Sequence, residues 1–139
     1  MSPDLPIAVI GAGLSGLACA QALQEAGMAV QLFDKSRGAG GRMSTRRAQD
    51  WQCDHGAQYF TARDPAFRAE VARWQEAGVA APWAARLAVL GGEGGHRPDA
   101  RLQRFVGQPQ MNSPAGWLAQ GLQLSLQTTI SGLRREGPA

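Results

Sequence analysis

The chain has 139 residues, 44% hydrophobic and 18% charged, a balance that describes one globular domain and excludes disorder as the default, while its 18 glycines point to many turns or close backbone approaches. The net charge of +3 is mild, and the 14 basic residues, all arginine except Lys35, are spread along the chain without interleaved aromatics; this argues against nucleic acid and for an anionic small molecule. Cys19 and Cys53 make neither a disulfide framework nor a metal-ligand spacing, and the first apolar run has no basic lead and is broken by glycines, so no metal, signal peptide or membrane span is expected and a reducing cytoplasm is the consistent setting.

Leu5 to Ile10 reads as a strand, Gly11-Ala12-Gly13-Leu14-Ser15-Gly16 as a glycine turn that opens a helix, and Ala29 to Phe33 as a second strand ending in Asp34. Strand, glycine turn, helix, strand and terminal carboxylate in this order form the unit that binds a dinucleotide. Gly11 allows the tight turn, Gly13 lets backbone approach a pyrophosphate, and Gly16 lets the helix pack close. The phosphates would rest on the first-turn amides near Leu14, at the positive end of the helix. Asp34, 18 residues beyond Gly16, is placed to accept from a ribose 2′-OH and to repel a 2′-phosphate. Leu14, Leu17, Ala18, Ala22, Leu23 and Ala26 recur as one apolar face, Cys19 reads as a small buried residue, and Gly27 as the helix stop. The alternation of helix and strand predicts a parallel sheet.

From Lys35 to Arg47 the chain places Gly38, Gly40 and Gly41 within four positions, which excludes an ordinary helix or central strand. A second backbone stretch lying against a ligand explains this pattern, with Arg42 offering a planar cationic fork; a surface loop is the plainer alternative. Asp54 to Phe60 reads as a turn entering a short strand, in which His55 lacks an identified partner and is read as structural rather than as a base. Cys53 is read as inert. Asp64 caps a helix with Pro65 in its first turn and Phe67, Val71 and Trp74 at helical spacing. Trp74 and Trp83 are read as packing residues. The segment Gly78 to Pro82 ends the helix, 83–90 could be strand or short helix, and Gly91 to Gly95 is a turn beside a solvated His96. Arg104 to Ser113 reads as a strand end and loop, Pro114 to Leu122 as a helix capped by Ser113, and Leu124 to Ile130 as a strand.

Gly11 to Gly16 taken with Gly40-Gly41-Arg42-Met43 resembles the FAD-binding start of the flavin-containing amine oxidase superfamily. Phe33-Asp34-Lys35, Gly41 to Arg47, Asp54 to Thr61, and Phe105-Val106-Gly107 through Met111-Asn112 are similar to the renalase-type branch and its bacterial relatives. The resemblance implies an α/β chain: a Rossmann-like FAD-binding βαβ unit with a parallel sheet and a second Gly-rich loop over residues 1–62, the beginning of an α+β substrate domain over 63–108, and a return helix and strand toward the FAD-binding domain over 109–139. Family members are longer, with a further part of the substrate domain and a C-terminal motif over the isoalloxazine. The expected fold is therefore incomplete, a fragment or a small relative that needs a partner chain.

Carried over by position, Gly11, Ala12, Gly13, Leu14, Ser15 and Gly16 would hold the FAD pyrophosphate and Asp34 the adenosine ribose. Lys35 and Arg37 would line the adenosine side, Gly41 and Arg42 would contact pyrophosphate or the flavin side, Gly56, Ala57 and Gln58 would approach the flavin, and Ile130 would lie against adenine. The implied activity is hydride transfer to the flavin from a small-molecule substrate, a dihydropyridine nucleotide or an amine, with oxygen as the acceptor. No side chain is singled out for proton transfer. Two other readings stay open: a non-catalytic nucleotide-binding fragment, and an NAD-binding module that uses the first motif alone.

Overall fold

The computed structural model describes residues 5–87 and 102–137. The turn at Gly91 to Gly95 and His96 lie outside the described residues, as do positions 88–90 of the undecided segment. The chain forms two compact units, Met1–Ser44 with Ala115–Ala139, and Thr45–Pro114.

The first unit is built on a parallel sheet. Strand β1 (Ile7–Ile10) leads through the glycine turn into helix α1 (Leu14–Glu25), and the chain returns as β2 (Val30–Phe33). β1 and β2 run parallel with Ile7 opposite Val30 and Ile10 opposite Phe33. On the other side of β2 lies the last strand of the chain, also parallel, with Leu32 opposite Leu124, giving the expected parallel sheet. The middle strand alternates buried Val30 and Leu32 with half-buried Gln31 and Phe33, as a pleated strand covered more on one face should. Leu17 and Ala20 of α1 close over the sheet with Ala12, Ala115 and Leu118. Gly27 follows the helix at φ +80°, the left-handed stop read from the sequence.

Two expectations about α1 change. Ala18, Ala22 and Ala26, read as part of the apolar face, are exposed, and so is Cys19. Burial follows a narrower stripe through Leu17 and Ala20, from which Cys19 points away. An Ala-rich helix matches so many apolar templates that its sequence cannot say which stripe will be covered.

The second unit opens with a hairpin, β3 (Thr45–Arg47) against β4 (Gln52–Asp54), antiparallel with Thr45 opposite Asp54. Helix α2 (Pro65–Glu76) starts where the sequence places it: Asp64 Oδ1 accepts from the amides of Ala66 at 2.9 Å and Phe67 at 3.1 Å. Its Val71 and Trp74 are buried, and Trp74 joins Phe60, Phe67 and Phe105 in an aromatic cluster whose neighbouring ring centroids lie 5.7–6.3 Å apart. Trp74 is thus a packing residue, with its indole N–H donating to Glu70 at 2.7 Å. Trp83 stacks on Tyr59 at 5.5 Å. The stretch from Gly78 does more than end the helix. β5 (Ala80–Pro82) pairs antiparallel with β6 (Phe105–Gly107), while residues 83–87 adopt neither strand nor helix.

The unit boundaries fall after Ser44 and Pro114, whereas the family-based division falls after 62 and 108. Hydrogen bonds explain the difference. Asp54 Oδ1 accepts from Thr45 Oγ1 at 2.5 Å and from the Met111 amide at 3.1 Å, and Phe60 and Phe105 exchange both backbone hydrogen bonds. These tie the 45–62 stretch to the residues around 105–111.

Helix α3 (Ser113–Leu118) is shorter than expected, and Ser113 does not cap it in the forward sense: its Oγ accepts from the Gln110 amide at 3.2 Å. The last strand, β7 (Gln123–Ser125), is also shorter than the 124–130 reading. Gln127 turns out of strand geometry at φ +52°, so the alternation of side chains continues in sequence while the backbone does not.

Candidate functional site

The site of the first unit is assembled at the carboxyl ends of its parallel strands, where open α/β sheets present ligands. β1 ends at Ile10 and β2 at Phe33, and the backbone there is cross-linked. Gly11 N–H donates to the Phe33 carbonyl at 2.8 Å and Asp34 N–H to the Ser125 carbonyl at 2.9 Å. These bonds deliver Asp34 beside the glycine turn. One of its carboxylate oxygens accepts from Ala12 N–H at 2.6 Å and the other from Ser36 N–H at 2.7 Å. Partial burial alone would raise the Asp34 pKa, but the Ser36 and Ala12 amides, the Ser36 side chain and the charge of Lys35 outweigh it and hold the carboxyl below its ordinary value. Asp34 is an anion at neutral pH. Each oxygen keeps acceptor capacity beyond its one amide.

The glycines are required by contacts that can be named. A Cβ on Gly16 would stand 1.9 Å from the carbonyl oxygen of Gly11, so the helix crosses the turn where only hydrogen fits. A Cβ on Gly41, which has φ +52°, would meet the Gly13 Cα at 3.1 Å. The second glycine segment therefore lies directly against the first, and Gly40 N–H donates to the Ala12 carbonyl at 2.9 Å. Residues 41–43 form a single 3₁₀ turn. At the amino end of α1, Gly13 offers no side-chain cap, no acidic residue occupies the first turn, and the first helical hydrogen bond is that of Leu17 to Gly13, at 3.0 Å. The amides of Leu14, Ser15 and Gly16 precede that ladder.

A pocket of about 300 Å³ opens at this point. Of the residues named from the sequence, Gly11, Asp34, Lys35, Gly41 and Ile130 line it. Ala12, Gly13, Leu14, Ser15 and Gly16 belong to the turn and helix start next to Gly11. Arg37 and Arg42 are exposed residues of the same unit and are not in the pocket lining. Gly56, Ala57 and Gln58 lie in the second unit, directly after β4; Gly56 and Gln58 are exposed and Ala57 is half-buried. His55 is exposed beside them. Among the described residues no group of three His, Cys, Asp or Glu side chains could hold a metal ion, and no helix is long and apolar enough to cross a membrane.

Comparison with known proteins bears on this geometry. Residues 9–74, a little under half of the chain, match the family model described as an NAD(P)-binding Rossmann-like domain. The matched residues run from within β1 through α1 and β2, a parallel βαβ unit that is Rossmann-like in fold. Among curated proteins, a possible lysine-specific histone demethylase 1 of Drosophila melanogaster is 46% identical over 55 residues, covering 40% of this chain and 6% of that protein. An L-amino-acid oxidase of Sistrurus catenatus edwardsii is 40% identical over 50 residues, covering 36% of this chain and 10% of that protein. Among solved structures, putrescine oxidase bound to putrescine is similar with a TM-score of 0.48 and 26% identity, covering 70% of this chain and 23% of the other. The chain thus spans a small part of the length of each relative.

Five residues of the pocket escaped the sequence reading: Ile10, Phe33, Ser36, Thr128 and Thr129. Ile10 and Phe33 had a usable signal, because each is the last residue of a strand that feeds the site. Ser36 follows the carboxylate by two positions, the spacing of a local turn closed on an Asp side chain. Thr128 and Thr129 had none, since their place depends on β7 pairing with β2, Leu32 opposite Leu124, a separation in sequence that no local pattern encodes.

Proposed function

We propose that the Rossmann-like domain binds FAD and that the chain is the cofactor-binding part of a renalase-like oxidoreductase of the flavin amine oxidase type. The observation that carries this reading is the joining of two glycine segments: Gly41 packs on Gly13, and both Gly11 and Gly41 border the pocket that holds Asp34. The residues present suit the adenosine and pyrophosphate of the cofactor. Asp34 can accept from ribose hydroxyls, the amides of Leu14, Ser15 and Gly16 can receive a phosphate, and the Thr128 to Ile130 wall can lie against adenine. Lys35 and Arg37 add positive charge on the adenosine side, and Arg42 can reach pyrophosphate or the flavin side.

FAD supplies the hydride acceptor when bound. The chain's own residues bind and orient it. The proposed reaction takes hydride from a reduced small molecule, a dihydropyridine nucleotide or an amine, with oxygen reoxidising the cofactor. We further propose a reducing cytoplasmic setting, consistent with two free cysteines, and a partner segment that completes the fold. The outer edge of β1 is the place for such a segment, because among the described residues β1 pairs on one side only.

The test is to purify the chain, add FAD, and follow flavin absorbance and fluorescence together with binding calorimetry. Yellow protein with saturable FAD binding is expected. Protein that stays colourless and cannot be reconstituted overturns the reading. The family description, which names NAD(P), favours a second one, an NAD-binding module that uses the first glycine motif alone. The Arg42→Ala variant separates the two: a clear loss of FAD affinity is expected, whereas unchanged nucleotide affinity supports the NAD module.

A further inference from the structure

Among the described residues, Gln127 is the only non-glycine residue with positive φ, at +52°. Its side chain is exposed and makes no hydrogen bond among the described residues, so nothing about glutamine itself holds the backbone there. The left-handed region disfavours an L side chain, and such an outlier persists only when its surroundings impose it. The surroundings are specific. Gln127 N–H donates to the Ser36 carbonyl at 3.0 Å, and the next amide, that of Thr128, donates to the Asp34 carbonyl at 2.8 Å. The Thr128 hydroxyl bonds back to the Leu126 carbonyl at 3.0 Å, closing the turn.

The residues joined by this turn are the two walls of one pocket. Asp34 and Ser36 line it from the end of β2, and Thr128, Thr129 and Ile130 line it from the stretch just beyond Gln127. From this we propose that Gln127 is a positioning residue: its left-handed backbone turns the chain out of β7 and sets the 128–130 wall against Asp34, which fixes the width of the nucleotide pocket. The inference rests on the nucleotide-binding reading given above and goes beyond it, since it assigns affinity to a residue whose side chain does not line the pocket.

The consequence is a pattern of tolerance opposite to that of a contact residue. Removing the side chain should do no harm, because glycine adopts this conformation freely and asparagine does so more readily than most residues. A β-branched residue should resist it and favour a turn that moves the wall away. With the full chain, dissociation constants for ADP, FAD and FMN are measured by calorimetry for the parent, Gln127→Gly, Gln127→Asn and Gln127→Val, with circular dichroism confirming that each is folded. Gln127→Gly and Gln127→Asn are expected to bind ADP and FAD as tightly as the parent or more so. Gln127→Val is expected to bind both about tenfold more weakly, the scale of one disfavoured left-handed residue, with FMN, which lacks adenosine, unaffected.

Equal ADP affinity in parent and Gln127→Val overturns the proposal. So does an equal loss for all three ligands in a folded Gln127→Val, because that is the mark of a general structural defect. If Gln127→Val does not fold, Gln127→Gly decides: parental or tighter ADP binding supports the backbone role, and weaker binding overturns it by showing that the side chain matters. A parent chain that binds neither ADP nor FAD overturns the pocket reading itself, and this inference with it, an outcome distinct from the others.

Discussion

Asp34 does two things with one carboxylate. Its hydrogen bond from the Ala12 amide joins the glycine turn to the end of β2, that from the Ser36 amide closes a local turn, and the residue itself lines the pocket. Because its pKa is lowered on folding, the ionised group contributes stability that is fully present above the ordinary aspartate value and is lost as pH falls through the depressed value. The parent chain should therefore show an acid-side loss of stability, followed as thermal midpoint against pH, that Asp34→Asn flattens. Asp34→Ala should also weaken binding of adenosine nucleotides, and unchanged affinity would count against its ribose role.

The elements of this chain are started and stopped by identifiable residues. α1 can cross the glycine turn only because position 16 carries no Cβ; Gly16→Ala would put a methyl 1.9 Å from the Gly11 oxygen. That substitution should cost about 1–3 kcal/mol, the usual penalty of forced overpacking. Urea denaturation gives the value, and an unchanged midpoint would contradict the close crossing. α2 depends instead on Asp64, which satisfies two amides of its first turn. Asp64→Ala should cost about 1 kcal/mol by the same measurement.

At the scale of the molecule, each unit has its own core. Leu17, Leu32 and Leu118 anchor the first, and Trp74, Val71, Phe105 and Met111 the second. β1 is an uncovered element of the first unit. Ile7 is 39% exposed and Ile10 54%, on a strand whose outer edge has no partner among the described residues. An open apolar edge is a template for pairing with another strand. Light scattering should show concentration-dependent association of the chain, reduced by Ile7→Lys, which places a charge on that edge away from the pocket. Association that persists unchanged in the variant would show that it runs through another surface.

The amino-acid sequence by itself determined the strand, turn, helix and strand of the first unit, the carboxylate at its end, and the cap of α2, because each depends on residues a few positions apart and on the conformational freedom of glycine or the reach of an Asp side chain. The contact of Gly41 with Gly13 was foreshadowed by the second glycine cluster, but not as a direct packing contact. The exposure of Cys19, the early end of β7 and the wall at Thr128 and Thr129 were decided only by tertiary structure. Each depends on which surface the chain returns to: covering by distant residues selects the buried stripe of α1, and the pairing of β7 with β2 brings Gln127 to the carbonyl of Ser36. Local periodicity carries no record of such distant partners, since the same alternation from Leu124 to Ile130 suits a longer strand until the backbone of residues 34–36 offers hydrogen bonds that turn it aside.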